Sequence, residues 1–283
     1  MFRVRKVRIS TLAVGSAMAV LALVGAPGAQ AAVPVSYATT TATGSEASMD
    51  WSGWDATGGS YSSVAAAWTV LAVTCTAGET SYSADWVGLD GDGSEAVEQI
   101  GTSSDCDGGT PAYSAWYEFY PSVSVSLPNT VGAGDKITAA VTAVPNSDDF
   151  TVTLTDTTAK WTVTRTEAPP EGSGASAEII AEAPSGSEQG GSVLPLADFK
   201  TVTFTGVTID GRSIESVADA RSIAMVHGSG ASMATVSKLG AGSFDVTWVS
   251  SGAGTAAGVT GGRGLAYSGG GTAGDGNTGG YGG

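Results

Sequence analysis

The sequence predicts an all-β protein built as a two-sheet antiparallel sandwich, and three observations carry that prediction. Beyond residue 50 apolar residues alternate with Thr or other small polar residues at a period of two. The apolar positions are rich in β-branched side chains, which fit a pleated, half-buried surface. Clusters of Gly, Pro, Asn and Asp break the runs at short intervals, and no long helical period interrupts them. With 283 residues, 42% hydrophobic and 14% charged, the chain can bury a sizeable core. That composition is neither a disordered acidic tail nor a coiled coil.

From the N-terminus, Arg3, Arg5, Lys6 and Arg8 precede an apolar run over residues 11–24, and Ala29-Gln30-Ala31 offers a cleavage site. This is the order of a secretory signal peptide, so residues 1–31 are set apart from the fold. The run is shorter than the ~20 residues a membrane span needs. A secreted, extracellular protein with no membrane attachment after cleavage is expected. Residues 32–49 form a short N-terminal segment and residues 50–250 the sandwich. Residues 251–283 are so dense in glycine that they bury too little to offset chain entropy, which predicts a flexible tail. Gly252–Ala257 fits a loose nucleotide-loop pattern but opens no helix, so no phosphate site is assigned to it.

Strands are predicted at Ala66–Val73, Lys136–Ala143, Phe150–Leu154, Trp161–Thr166, Val202–Val207 and Phe244–Val249. Turn chemistry at 146–149, 168–174 and 186–191 separates them. Cys75 and Cys106 are the two cysteines of an exported chain and read as one disulfide. On the chain-entropy model such a loop stabilises by ~3–4 kcal/mol.

Charge and histidine count exclude several functions. A formal charge of −15, with 12 basic against 27 acidic residues, repels phosphate backbones and removes nucleic acid as a partner. One histidine excludes metal sites built from several imidazoles, and no cofactor motif stands in the chain, so neither metal nor cofactor is expected. Asp90-Gly91-Asp92-Gly93 resembles the start of a calcium loop, but Glu95 occupies the place of the required glycine. The usual serine, zinc and aspartic hydrolase signatures are missing. His227 alone could serve a Ser-His-Asp triad.

What remains is polar residues inside strand-like segments among aromatics. Trp116, Glu118 and Tyr120 share one strand face, and so do Glu178 and Glu182. Carboxylates placed in strands are costly unless solvated or functional.

Trp86–Asp92 (WVGLDGD), Glu98–Gly101 (EQIG), Ala115–Pro121 (AWYEFYP) and Ala177–Glu182 (AEIIAE) stand in the order of four blocks of the glutamic peptidases, the eqolisin family of secreted acid endopeptidases. Trp51-Ser52-Gly53 and Leu196–Phe199 add to the resemblance, which covers about residues 50–250. It implies two bent sheets of concanavalin or jelly-roll type with a substrate groove on the concave face. It further implies a Gln99/Glu182 catalytic dyad, groove-lining Trp51, Trp86, Asp90, Trp116 and Glu118, polypeptide substrates and a monomeric enzyme insensitive to pepstatin. The sequence departs from the family at Glu98, Ile100, Ile179 and Asp50, near the dyad.

The chemistry is consistent on its own terms. A glutamate can pass a proton from water to the leaving amine, and a glutamine N–H can stabilise an oxyanion without titrating. A non-catalytic carbohydrate-binding sandwich, with aromatics stacking on sugar rings, is the alternative. A sandwich glycosidase with paired carboxylates is a third. So few cations leave most carboxylates without ion pairs, which predicts greater stability near pH 4 than near pH 8.

Overall fold

The computed structural model describes residues 45–185 and 192–252. The expected signal peptide, most of the 32–49 segment and the glycine-rich tail beyond Gly252 lie outside the described residues. Sixteen strands follow in chain order: β1 (Ser45–Ser48), β2 (Trp51–Thr57), β3 (Ser63–Thr69), β4 (Ala84–Leu89), β5 (Val97–Asp107), β6 (Thr110–Tyr120), β7 (Val125–Ser126), β8 (Lys136–Ala143), β9 (Phe150–Asp156), β10 (Trp161–Glu167), β11 (Ser176–Glu182), β12 (Thr201–Ile209), β13 (Arg212–Ser213), β14 (Ala220–Val226), β15 (Ser232–Val236) and β16 (Phe244–Trp248). A single 3-10 turn, Ile214–Ser216, is the only helix among the described residues.

The first sheet runs β12-β16-β15-β14-β2-β11-β4-β5-β6-β7 and the second β12-β3-β8-β9-β10. β12 belongs to both. Its Thr201–Phe204 half pairs with β16, and after a bulge its Thr205–Ile209 half pairs with β3. Pairing is antiparallel except that β1 lies parallel to β14. The path has two ends, β7 and β10, so the sandwich is open, as the sequence predicts.

The second sheet follows the alternation closely. Ile137, Ala139 and Val141 of β8 and Phe150, Val152 and Leu154 of β9 turn inward. The intervening threonines turn outward and bond across β9 and β10, Thr151 to Thr166 at 2.9 Å and Thr155 to Thr162 at 2.9 Å. Facing them from the first sheet are Val87, Leu89, Ile100, Tyr117, Phe119 and Ile179. Each fully buried side chain of this size contributes roughly 1.5–3 kcal/mol of transfer free energy. β3 begins and ends earlier than predicted: Val70–Val73 leave the sheet to start the long connection to β4.

That connection is tied down by the expected Cys75–Cys106 disulfide, Cα–Cα 5.6 Å, and by reciprocal backbone bonds between Ser81 and Cys106 of β5. β5 and β6 form the longest hairpin, closed by Gly108-Gly109 at φ +58° and +91°. Two successive left-handed residues are what a right-twisted hairpin turn requires, and glycine supplies both.

Candidate active site

β4, β5 and β11 are buried along nearly their whole length, on both faces. One face of each carries core residues. The opposite face carries Trp86 of β4, Gln99 of β5, Glu178, Ile180 and Glu182 of β11, and, on neighbouring strands, Trp51 and Asp55 of β2 and Trp116 and Glu118 of β6. Trp51, Ala84, Trp86, Trp116, Ile180 and Ile223 form a second apolar cluster there, separate from the main core. This face is the floor of the candidate groove.

Strand register arranges these side chains in rows. Asp55 stands opposite Glu178, Glu178 opposite Gly88, Gly88 opposite Gln99 and Gln99 opposite Glu118. The next row is Gly53, Ile180, Trp86, Gly101 and Trp116, and the next places Glu182 between Trp51 and Ala84. Gln99 and Glu178 are therefore separated by one strand whose residue has no side chain. A Cβ added at Gly88 would lie 2.8 Å from Trp86 Cζ3 and 3.3 Å from Gln99 Cβ. Glycine lets the Trp86 ring lie over this position, between the two.

Each polar group is oriented by a named partner. Gln99 Nε2–H donates to Glu118 Oε2 at 2.6 Å, and Gln99 Oε1 has no partner among the described residues. Glu178 Oε1 accepts the Asp92 N–H at 3.2 Å, and its Oε2 has no partner there either. Trp86 Nε1–H donates to Glu182 Oε2 at 2.6 Å, and the Trp86 ring meets Trp51 edge to face at 4.9 Å. The indole N–H of Trp116 is buried and unpartnered among the described residues.

Burial governs the carboxyls. It holds Glu178 well above the usual carboxylate range, opposed by the hydrogen bond to Ser176 and reinforced by the charges of Asp55, Asp92 and Asp90. Glu118 is pushed up to about 8 by burial, the hydrogen bond from Gln99 opposing. Glu98, next to Gln99 in sequence, points the other way into the core, where burial and the charge of Asp90 push it up to about 10.

The structure brings together Gln99, Trp86, Trp116, Glu118 and Trp51 on one face, as the sequence reading expects. Glu182 lies on the same face, two rows from Gln99, where it accepts the Trp86 N–H; the residue aligned with Gln99 across Gly88 is Glu178. Asp90 does not line the groove: its carboxylate accepts the N–H groups of Ser173, Gly174 and Ala175 at 2.6–2.7 Å and the Ser173 hydroxyl at 2.9 Å. It fastens the segment leading into β11. His227 is bonded within its own turn to Ser229, 3.2 Å, and joins no triad.

Sequence reasoning missed Arg221. It bonds Glu46, Asp55 and Asp92, whose carboxylate oxygens lie within 4.8 Å of one another. Such a trio has the spacing of a cation site, but the guanidinium already supplies the positive charge. The one sequence signal was an arginine inside a strand of a chain poor in cations.

Known proteins share this fold. Scytalido-glutamic peptidase, solved with a transition-state analog inhibitor, superposes with a TM-score of 0.61 at 28% identity, covering 71% of this chain and 98% of that one. Aspergilloglutamic peptidase from Aspergillus niger superposes with a TM-score of 0.52 at 30% identity, covering 60% and 99%. Aspergillopepsin-2 of Aspergillus niger is 30% identical over 186 residues, 58% of this chain, and the match spans 64% of that protein's length. The Peptidase A4 family matches residues 49–248, which takes in every strand of the groove, and the chain belongs to that family.

Proposed function

We propose that this protein is a secreted endopeptidase active in acid, and that Gln99 and Glu182 carry the reaction. The observation that supports the pairing is the Trp86 indole, whose Nε1–H donates to Glu182 Oε2 at 2.6 Å while its Cζ3 edge lies over Gly88, the residue opposite Gln99.

Water loses a proton to the Glu182 carboxylate, held in place by the Trp86 indole, as its oxygen attacks the carbonyl carbon. The oxyanion accepts the second Nε2–H of Gln99, the first being held by Glu118. Glu182 then returns the proton to the amide nitrogen, the C–N bond breaks, and an amine and an acid leave. General acid–base transfer of this kind contributes ~10²–10⁴-fold. Glu178, which burial holds well above the usual carboxylate range, stays protonated in acid and does not serve as the base. The buried Trp116 N–H is suited to a second substrate carbonyl.

The experiment is digestion of acid-denatured haemoglobin by the mature protein across about pH 2–7, with pepstatin present, alongside Gln99→Ala, Glu178→Gln and Glu182→Gln. Pepstatin-resistant cleavage abolished by Gln99→Ala and Glu182→Gln and retained in part by Glu178→Gln supports the assignment. Activity kept by Glu182→Gln and abolished by Glu178→Gln moves the acid–base role to Glu178. An inert wild type overturns the peptidase reading.

A further inference from the structure

Along β5 alternate residues face the groove floor. Gln99, Gly101 and Ser103 turn one way, while Ile100 packs in the core and Thr102 Oγ1 accepts the Trp68 Nε1–H on the core side at 3.0 Å. Ser103 therefore shares the face that carries Gln99, and it is as fully buried as Gln99 and Glu182, at 0% exposure. Register puts it in the row of Glu182, with only the methyl of Ala84 between them. On its other side in that row stands Ser114, half-buried, so the row opens toward solvent there.

The Ser103 hydroxyl has no partner among the described residues. A buried hydroxyl left unpaired is costly, and most such groups in folded proteins are paired. Alanine would fill the same place without that cost. We infer that Ser103 is a substrate-binding residue, whose Oγ bonds the main chain of a peptide on the leaving-amine side of the scissile bond. The inference rests on Gln99 and Glu182 as the reacting pair.

Gln99 meets the scissile carbonyl and Glu182 the nitrogen, so the bond to be cut lies over the row between theirs, that of Trp86 and Gly101. Same-face neighbours along a strand are ~7 Å apart, so Ser103 lies about that far beyond the bond, on the side of Glu182. An extended peptide covers the distance in two residues, which places Ser103 beneath the second residue after the cut. A hydroxyl there donates to a carbonyl or accepts an N–H, and both belong to the main chain of any sequence. A contact so remote from the reacting atoms holds substrate and transition state alike, and its loss raises KM while leaving kcat unchanged.

The test compares the purified mature protein with Ser103→Ala in acid, on two peptides cut at the same mapped bond. One ends at the first residue after the cut and the other runs three residues further. On the longer peptide the variant is expected to raise KM about three- to tenfold, the worth of one neutral hydrogen bond, with kcat within about twofold. On the shorter peptide the two proteins have equal constants. The variant melts no lower than the wild type, because all it has lost is an unpaired hydroxyl. Equal KM on the longer peptide, or the same loss on both peptides, overturns the inference. So does a variant that melts lower or fails to fold, since its hydroxyl then serves the fold. A wild type that cleaves neither peptide marks the failure of the peptidase reading. Calorimetric titration with the longer peptide, its scissile amide reduced to an amine, then decides: weaker binding by Ser103→Ala supports the contact, and equal or absent binding overturns it.

Discussion

Trp86 donates its indole N–H to Glu182 at 2.6 Å, and the far edge of the same ring covers Gly88, the residue opposite Gln99. One side chain of the middle strand thus reaches toward both residues of the proposed dyad, which stand on the strands to either side of it.

The two glutamates of β11 are separable by mutation. Glu182→Gln keeps an acceptor for the Trp86 N–H but removes the proton carrier, and is expected to lower kcat by about 10²–10⁴. Glu178→Gln keeps an acceptor for the Asp92 N–H and is expected to cost about tenfold or less, within the few tenths to ~1.5 kcal/mol net value of one hydrogen bond. Steady-state kinetics on both variants at matched folded fraction decides between them.

Gly88→Ala tests the seat of the Trp86 ring directly. The new methyl meets Trp86 Cζ3 at 2.8 Å and pushes away the indole that bonds Glu182. Activity is expected to fall by more than about a hundredfold while Tm falls by only a few degrees, the overpacking cost of one methyl being ~1–3 kcal/mol. Equal losses in rate and folded fraction would show that the position matters for packing alone.

Gln99 depends on Glu118 for its orientation. Gln99→Ala is expected to cost about 10²–10³ in kcat, the loss typical of an oxyanion donor. Glu118→Ala leaves the donor present but unheld, and is expected to cost about tenfold. A Glu118→Ala loss as large as that of Gln99→Ala would assign Glu118 a direct role.

Stability should fall as pH rises. Asp55, Asp85 and Asp105 are raised to about 7, Glu118 to about 8 and Glu98 to about 10, with burial the first cause in each. Unfolded, the same groups titrate near ~4. Between those values the folded protein binds more protons, so stability is full below about pH 4 and is lost as pH climbs through 7 and beyond. Calorimetry is expected to give a Tm about 10 °C lower at pH 8 than at pH 4. Glu98→Leu, which removes the carboxyl most deeply at odds with its surroundings, should narrow that gap mainly from the pH 8 side. A Tm that rises with pH contradicts the account.

The alternation of β8, β9 and β10 was plain in the sequence because one face meets the core and the other meets solvent. The groove strands were harder. β4 and β11 are buried on both faces, so their polar residues stand out only as misfits, and parity tells which residues share a face but not which ones meet. Glu178 and Glu182 share a face, and what distinguishes their surroundings, the 90–93 loop on one and the Trp86 indole on the other, is not encoded by anything local to AEIIAE. Arg221 and Asp55 are 166 residues apart, and no periodicity links them. The expectation of acid stability rested on scarce cations; the structure adds a second and stronger cause, in carboxyls buried at full depth with Lys200–Asp198 the one ion pair outside the Arg221 cluster among the described residues.

β12 divides its pairing between β16 and β3. Its bond to β3 joins Thr205 to Ala67 across 138 residues. The hairpin of β5 and β6 can zip up from its own turn, and β8, β9 and β10 from theirs, but β3 has no second neighbour until β12 arrives. The two sheets therefore cannot mature one after the other as the chain emerges: closure waits for the last quarter of the fold, and assembly is slow in the way long-range β pairing is slow. A chain cut short before β12 keeps its hairpins and the disulfide, and loses the strand that joins one sheet to the other.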